Sequence, residues 1–122
     1  MTDDLIAFIQ ARLDEDKARA DAAHGHGWFQ ERELTSYGLL EEADARLIAA
    51  HADPARVLRE IEATRGILAM YDQAVTDAAS SDYIVRGPAR VVIGVLVPVL
   101  CHLARSWSNH PDYQADNWKP AA

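Results

Sequence analysis

The fold of this chain is decided by the stretch HADPARVLREIEATRGILAMYDQAV, residues 51–75. Asp53 is a good helix N-cap, because its carboxylate can accept hydrogen bonds from the free N–H groups of the first turn. Pro54 suits the first helical position, where its missing N–H costs nothing. Mostly apolar side chains then recur at alternating steps of four and three, which places them on one stripe of a helix. That stripe consists of Val57, Ile61, Thr64, Leu68, Tyr71 and Val75. The pattern predicts a central helix over residues 54–78.

The other side of this central helix is charged. It carries Arg56, Arg59, Glu60, Glu62 and Arg65, which form either a solvated face or a binding face. Two interpretations compete for what covers the apolar stripe. We favour the first and last helices of the same chain. The alternative is the same helix of a second copy, because the spacing is close to a heptad over about three turns. That alternative would make the protein a homodimer.

The composition is that of an ordinary globular chain. Its 122 residues, 49% of them hydrophobic and 25% charged, suit a single domain over residues 1–122. The formal charge of −7 argues against a nucleic-acid partner, because phosphate backbones are bound by Lys and Arg. Cys101 is the only cysteine, and the acidic start MTDD does not resemble a secretory signal. We therefore expect a cytoplasmic protein.

The segments before the central helix differ in how clearly they specify a structure. A first helix over residues 3–23 is predicted by one apolar stripe, which consists of Leu5, Ile6, Ile9 and Leu13. Two glycines, Gly25 and Gly27, end it. A short helix near residues 40–50 is plausible, and a short strand or hairpin over residues 28–39 is the competing interpretation. The segment over residues 28–39 is the least determined part of the chain.

The run ARVVIGVLVPVLCHLARSW, residues 89–107, is apolar on every side and admits two interpretations. As a strand it is too long for one element, and Pro98 would remove a ladder hydrogen bond near its centre. As a helix it begins well at Pro88 and bends at Pro98. We favour a buried, kinked helix over residues 88–107. Its charge-free part, residues 91–101, is shorter than the roughly 20 residues that span a bilayer, so we expect no membrane anchor.

The tail after residue 107 contains prolines and short polar residues, which predicts an irregular ending. Trp107 and Trp118 are nevertheless costly to leave in water, because an aromatic side chain can bury roughly 150–250 Å². We expect the tail to pack back and bury at least one of these indoles against the first or central helix. Asp112 would then lie near Arg56 or Arg59. The candidate binding residues at this junction are Arg56, Arg59, His110, Asp112, Tyr113 and Trp118.

Taken together, these elements predict an all-α fold. It is a small bundle of three long helices and one short helix, with the last long helix kinked at Pro98 and an irregular C-terminal tail packed back.

Three blocks of this sequence carry a resemblance: LIAFIQARLDED at residues 5–16, HADPARVLREIEATRGIL at residues 51–68 and HPDYQADNW at residues 110–118. They resemble a family of short proteins of unknown function from actinobacteria, notably streptomycetes, and from their phages. The resemblance implies an actinobacterial, phage or mobile-element origin. It implies no activity.

Signals for catalysis are weak in this sequence. Imidazole and carboxylate are the usual ligands of catalytic zinc, manganese or iron, and the candidate ligands are Asp21, His24, His51 and Asp53. The sequence has no His-Glu-x-x-His motif, no paired Glu-x-x-His motifs and no Gly-rich phosphate loop. We expect no cofactor and predict a non-catalytic protein-interaction or regulatory module with a protein partner. The alternative is a metal-dependent hydrolase-like enzyme that uses those His and Asp ligands.

Overall fold

The computed structural model describes residues 2–24 and 53–119, and most of them are helical. The elements are α1 (Thr2–His24), α2 (Pro54–Ala78), α3 (Tyr83–Ala104), a 3₁₀ turn (Arg105–Trp107) and the short helix α4 (Ala115–Trp118). No strand occurs within the described ranges, and the predicted all-α fold is confirmed. The expected helix near residues 40–50 and the competing hairpin over residues 28–39 lie outside the described residues.

Helix α2 has the bounds that the sequence predicts, because its start signal is local. The Asp53 carboxylate accepts a hydrogen bond from the backbone N–H of Ala55 at 3.0 Å, as an N-cap should. Ile61 and Leu68 on the predicted apolar stripe are buried, whereas Val75 at its end is exposed. The stripe is therefore covered at its centre and open at its C-terminal end.

Helix α3 begins earlier than predicted. The expected start at Pro88 is wrong, because the helix begins five residues earlier, at Tyr83. The Asp82 carboxylate caps it by accepting a hydrogen bond from the N–H of Ile84 at 2.9 Å. Pro88 and Pro98 both lie inside the helix. The helix ends at Ala104, and the 3₁₀ turn continues the chain to Trp107.

The expectation that α3 is buried is wrong for much of its surface. Its buried residues are Ala89, Leu96, Leu100, Cys101 and Ala104. Its exposed large apolar residues are Tyr83, Ile84, Val85, Val91, Val92 and Val95. Within the described part of the chain, the stretch from α3 to the end of the 3₁₀ turn is the one helix long and apolar enough to cross a membrane. A core helix of a soluble protein can meet the same criteria of length and composition, but it is mostly buried, whereas 22% of the most apolar 18 residues of this stretch are buried.

Contacts divide the chain into two compact units. The first comprises Met1–Arg12 and Ala63–Ala122, and the second comprises Leu13–Glu62. The most deeply buried side chains of the first unit are Leu5, Ile9, Leu100, Ala104 and Trp118, which come from α1, α3 and α4. In the second unit Leu13, Ala20 and Ile61 are buried. The expectation of one domain over residues 1–122 stays a prediction.

Replacing Leu68 by Ala should lower the free energy of unfolding by roughly 2–5 kcal/mol, because a buried leucine leaves a cavity behind. Met70→Ala is the matched control on the same helix. Its side chain is exposed, so its effect should stay within about 0.5 kcal/mol. Urea unfolding followed by circular dichroism measures both variants. Equal effects would contradict the placement of the α2 stripe.

Replacing Asp82 by Ala should cost roughly 0.5–2 kcal/mol of stability, since it removes the N-cap of α3. Ser81→Ala, one residue earlier, gives a control that leaves this hydrogen bond in place, and Asp82→Asn should restore most of the loss. The same unfolding experiment compares the three variants. A Ser81→Ala effect as large as that of Asp82→Ala would show that α3 does not start with this cap.

Candidate functional site

One face of α1 carries the side chains on which the candidate site is built. Asp4, Phe8 and Arg12 follow one another at a spacing of four residues, which places them in a row along the helix. Ala7 and Ala11 lie beside this row, and their short side chains do not project far from the helix backbone. The row runs from an acidic end, favoured by the positive helix N-terminus, to a basic end.

The ring of Phe8 is the centre of an aromatic cluster formed with the tail. Its centroid lies 4.9 Å from that of Trp118, 5.7 Å from His110, 6.0 Å from Tyr113 and 6.4 Å from Trp107. Trp118 is only 1% exposed. The predicted packing of the tail against the first helix, with one indole buried, is therefore confirmed.

Arg12 anchors the same tail segment through its charge. Its side chain is 9% exposed, and Nη1 lies within hydrogen-bonding distance of both ring nitrogens of His110, 2.8 Å from Nδ1. The guanidinium carbon lies 5.2 Å from the centroid of the Phe8 ring, within the range of a cation–π contact. The Asp112 carboxylate is 4.0 Å from Nη1. These contacts compensate part of the cost of burying a positive charge.

His110 has a structural role in this arrangement. Its ring meets Arg12 Nη1 with both nitrogens, and Nδ1 accepts a hydrogen bond from the backbone N–H of Asp112 at 3.0 Å. His110 therefore positions the turn that carries Asp112.

An open groove of about 380 Å³ lies between α1 and the tail. Its lining consists of Asp4, Ala7, Phe8, Ala11 and Arg12 from α1 and of Asp112, Gln114 and Trp118 from the tail. Asp112 is 76% exposed, so its carboxylate is open to solvent at the edge of the groove. The indole N–H of Trp118 is buried and has no hydrogen-bond acceptor among the described residues. The groove thus combines two carboxylates, one guanidinium and an aromatic wall.

The structure places the predicted binding residues in two groups. His110, Asp112, Tyr113 and Trp118 come together in the first unit, around Phe8 and Arg12. Arg56 and Arg59 belong to the second unit, where Arg56 forms an ion pair with Glu60 at 2.9 Å. The arginine beside Asp112 is Arg12, in place of the expected Arg56 or Arg59.

Sequence reasoning missed Arg12, although a signal for it exists. Arg12 lies four residues after Phe8 and directly before Leu13, so its position on a helix adjoins the apolar stripe of α1. A charged residue on such an edge needs a partner to be buried. The tail supplies that partner, and only the folded chain shows which residue it is.

The residues of the predicted metal set have other roles where the structure describes them. Asp21 accepts from Lys17 at 2.7 Å, Asp53 caps α2, and His24 is the last residue of α1. His51 lies outside the described residues. Within residues 2–24 and 53–119, no group of three or more His, Cys, Asp or Glu side chains is placed to hold a metal ion.

Cys101 is buried, and burial raises the pKa of its thiol. The thiol is therefore protonated near neutral pH, which makes it a poor nucleophile.

A second groove, of about 440 Å³, lies within the second unit, and residues of α1 and α2 line it. Its charged side chains already form ion pairs within their own helices. Asp16 pairs with Arg19 at 3.5 Å, and Glu60 pairs with Arg56 at 2.9 Å. Exposed ion pairs of this kind are weak, but each charged side chain of the lining that the structure describes already has a partner within its own helix.

Replacing Trp118 by Ala should cost roughly 3–5 kcal/mol of stability, because it removes the buried ring from the cluster around Phe8. Trp118→Phe should cost much less, since it keeps an aromatic ring and removes an N–H that has no acceptor within the described residues. Thermal unfolding measures both. If Trp118→Ala leaves the midpoint unchanged, the tail does not pack on α1.

The sequence matches the model of a protein family over residues 2–120, nearly the whole chain, and that family is described as "Family of unknown function (DUF6221)". Neither a curated protein nor a solved structure matches the chain at a significant level. The helices, the aromatic cluster and the groove all fall within the matched residues. The chain therefore belongs to this family of unknown function.

Proposed function

We propose that this protein is a non-catalytic protein-interaction or regulatory module and that the groove between α1 and the tail is its binding surface. The observation that carries the proposal is the Asp112 carboxylate. The tail turn holds it at the groove edge, 4.0 Å from the buried Arg12 and 76% exposed. A side chain that is fixed at its base and open at its tip suits recognition, because little freedom is lost on binding.

The charge of the groove indicates the chemistry of the partner. Asp4 and Asp112 are exposed carboxylates, whereas Arg12, the one cationic group that the described residues contribute to the lining, is buried. The whole chain carries a formal charge of −7, which attracts positively charged partners over a longer range. We therefore propose a partner segment with cationic side chains.

The length of the groove suggests how such a segment would fit. Asp4 and Arg12 are eight residues apart on α1, which corresponds to about 12 Å at a rise of 1.5 Å per residue. Asp112 lies beside Arg12, so the two carboxylates mark the two ends of the groove. In an extended peptide, residues i and i+4 are about 13 Å apart. Two Lys or Arg side chains at that spacing match both ends of the groove.

Location and origin belong to the same proposal. The single cysteine, which is buried, supports a cytoplasmic protein without disulfides. The three blocks that resemble streptomycete and phage proteins support an actinobacterial, phage or mobile-element origin. No observation on the described residues favours the metal-dependent alternative.

A random peptide display library, selected against the purified full chain, tests the proposed function. We expect the enriched peptides to contain two Lys or Arg residues about four positions apart. Asp112→Asn should weaken their binding about tenfold, which corresponds to about 1.4 kcal/mol. Ala11→Leu should weaken it similarly, because the exposed floor of the groove is filled.

Asp72→Asn is the matched control, since it removes the same charge from an exposed position on α2 that does not line the groove. If Asp72→Asn weakens peptide binding as much as Asp112→Asn does, the binding depends on net charge alone. Peptides without a preference for cationic residues, or binding that Ala11→Leu leaves intact, would contradict the proposed surface.

A further inference from the structure

Helix α3 has an exposed apolar stripe on the side opposite to its buried residues. The stripe consists of Ile84, Gly87, Val91, Gly94, Val95 and Pro98, which recur at helical spacing. Ile84, Val91 and Val95 are 67%, 68% and 60% exposed. The buried Ala89, Leu96 and Leu100 lie about half a turn away. Helix α3 therefore has two apolar faces, of which one is covered.

The exposed stripe has the repeat of a helix–helix contact. Ile84, Val91 and Pro98 are seven residues apart, as are Gly87 and Gly94. A seven-residue repeat keeps a seam facing a partner helix over several turns. A Cβ added to either glycine would meet nothing within 4 Å, so the backbone at both positions is open to the approach of another chain.

The charge along this part of the chain is also informative. No Asp or Glu occurs between Tyr83 and His110, although the whole chain carries a formal charge of −7. The stripe itself has no charged member. Two such stripes can therefore face each other without like charges in contact, whereas the acidic remainder of each chain repels its copy.

We propose that this stripe of α3 is the surface through which two copies of the chain associate. The stripe on the central helix is a weaker candidate for a dimer seam, because Ile61 and Leu68 are already buried in a single chain. The proposal is independent of the groove, which lies between α1 and the tail.

The available area predicts how strong this association is. Helix α3 has 22 residues and is about 33 Å long, and a helix is about 10–12 Å across. A third of that surface is roughly 400 Å² per copy, or about 800 Å² for the pair, from the same dimensions. Stable interfaces bury about 1,200–2,000 Å² in total. The dimer is therefore weak and reversible, and its population rises with concentration.

A membrane is a less suitable occupant of the same stripe. Arg86 and Arg90 lie within α3, and Arg105 follows it directly. The stretch between Arg90 and Arg105, residues 91–104, lacks Lys, Arg, Asp and Glu. It is shorter than the roughly 20 apolar residues that a bilayer span needs.

Sedimentation velocity over a range of protein concentrations tests the proposal with the full chain. The wild type should shift from monomer to dimer as concentration rises. Val91→Glu should raise the dissociation constant by at least about tenfold, because it places two carboxylates in the seam. Raising NaCl from about 0.1 M to about 1 M should strengthen wild-type association, since the Debye length falls from about 10 Å to about 3 Å.

Val85→Glu is the matched control on the same helix, about 120° around its axis from Val91. Circular dichroism establishes that both variants remain folded. A wild type that stays monomeric at every concentration would overturn the proposal, as would equal loss of association in both variants. Flotation of the wild type, but not of Val91→Glu, with phosphatidylcholine–phosphatidylglycerol vesicles would assign the stripe to a lipid surface and also overturn it.

Discussion

The packing of Trp118 against Phe8 is the contact on which the C-terminal part of the first unit depends. As far as residue 119, the tail after α3 has only a 3₁₀ turn and a four-residue helix, so its own backbone hydrogen bonds cannot hold it in place. An aromatic side chain that buries roughly 150–250 Å² contributes about 4–6 kcal/mol at 25 cal/mol per Å². That contribution offsets much of the entropy lost when the tail is ordered, and it brings His110 and Asp112 to α1.

Arg12 turns this apolar packing into a polar surface. A buried guanidinium is costly without partners, and here it is surrounded by the Phe8 ring, the His110 imidazole and the Asp112 carboxylate. Two of those partners, His110 and Asp112, come from the tail. The charge of Arg12 therefore stabilises the position of the tail turn that brings both of them to it. The exposed Asp112 carboxylate is a consequence of that position. The groove therefore owes its shape to aromatic packing and its chemistry to one buried cation.

Helix α3 has one covered face and one exposed face, although its sequence is apolar on both. Its side chains are apolar in every direction, so its sequence has no polar face to indicate which side meets solvent. In the folded chain, small and large apolar residues lie on the covered side, while Ile84, Val91 and Val95 remain exposed. An exposed apolar surface of this kind commonly marks a contact with another molecule.

The sequence alone determined the features that arise from neighbouring residues. The bounds of α2 follow from Asp53, Pro54 and a helical repeat, and the burial of an indole in the tail follows from the cost of leaving it in water. Only the tertiary structure decided that Arg12 lies beside Asp112, and that one face of α3 is covered and the other open. The reason is physical. Helix caps and apolar repeats act over a few residues. The ion pair between Arg12 and Asp112 joins residues 100 positions apart, so it depends on which surfaces folding brings together. The same is true of the choice between two equally apolar faces of α3.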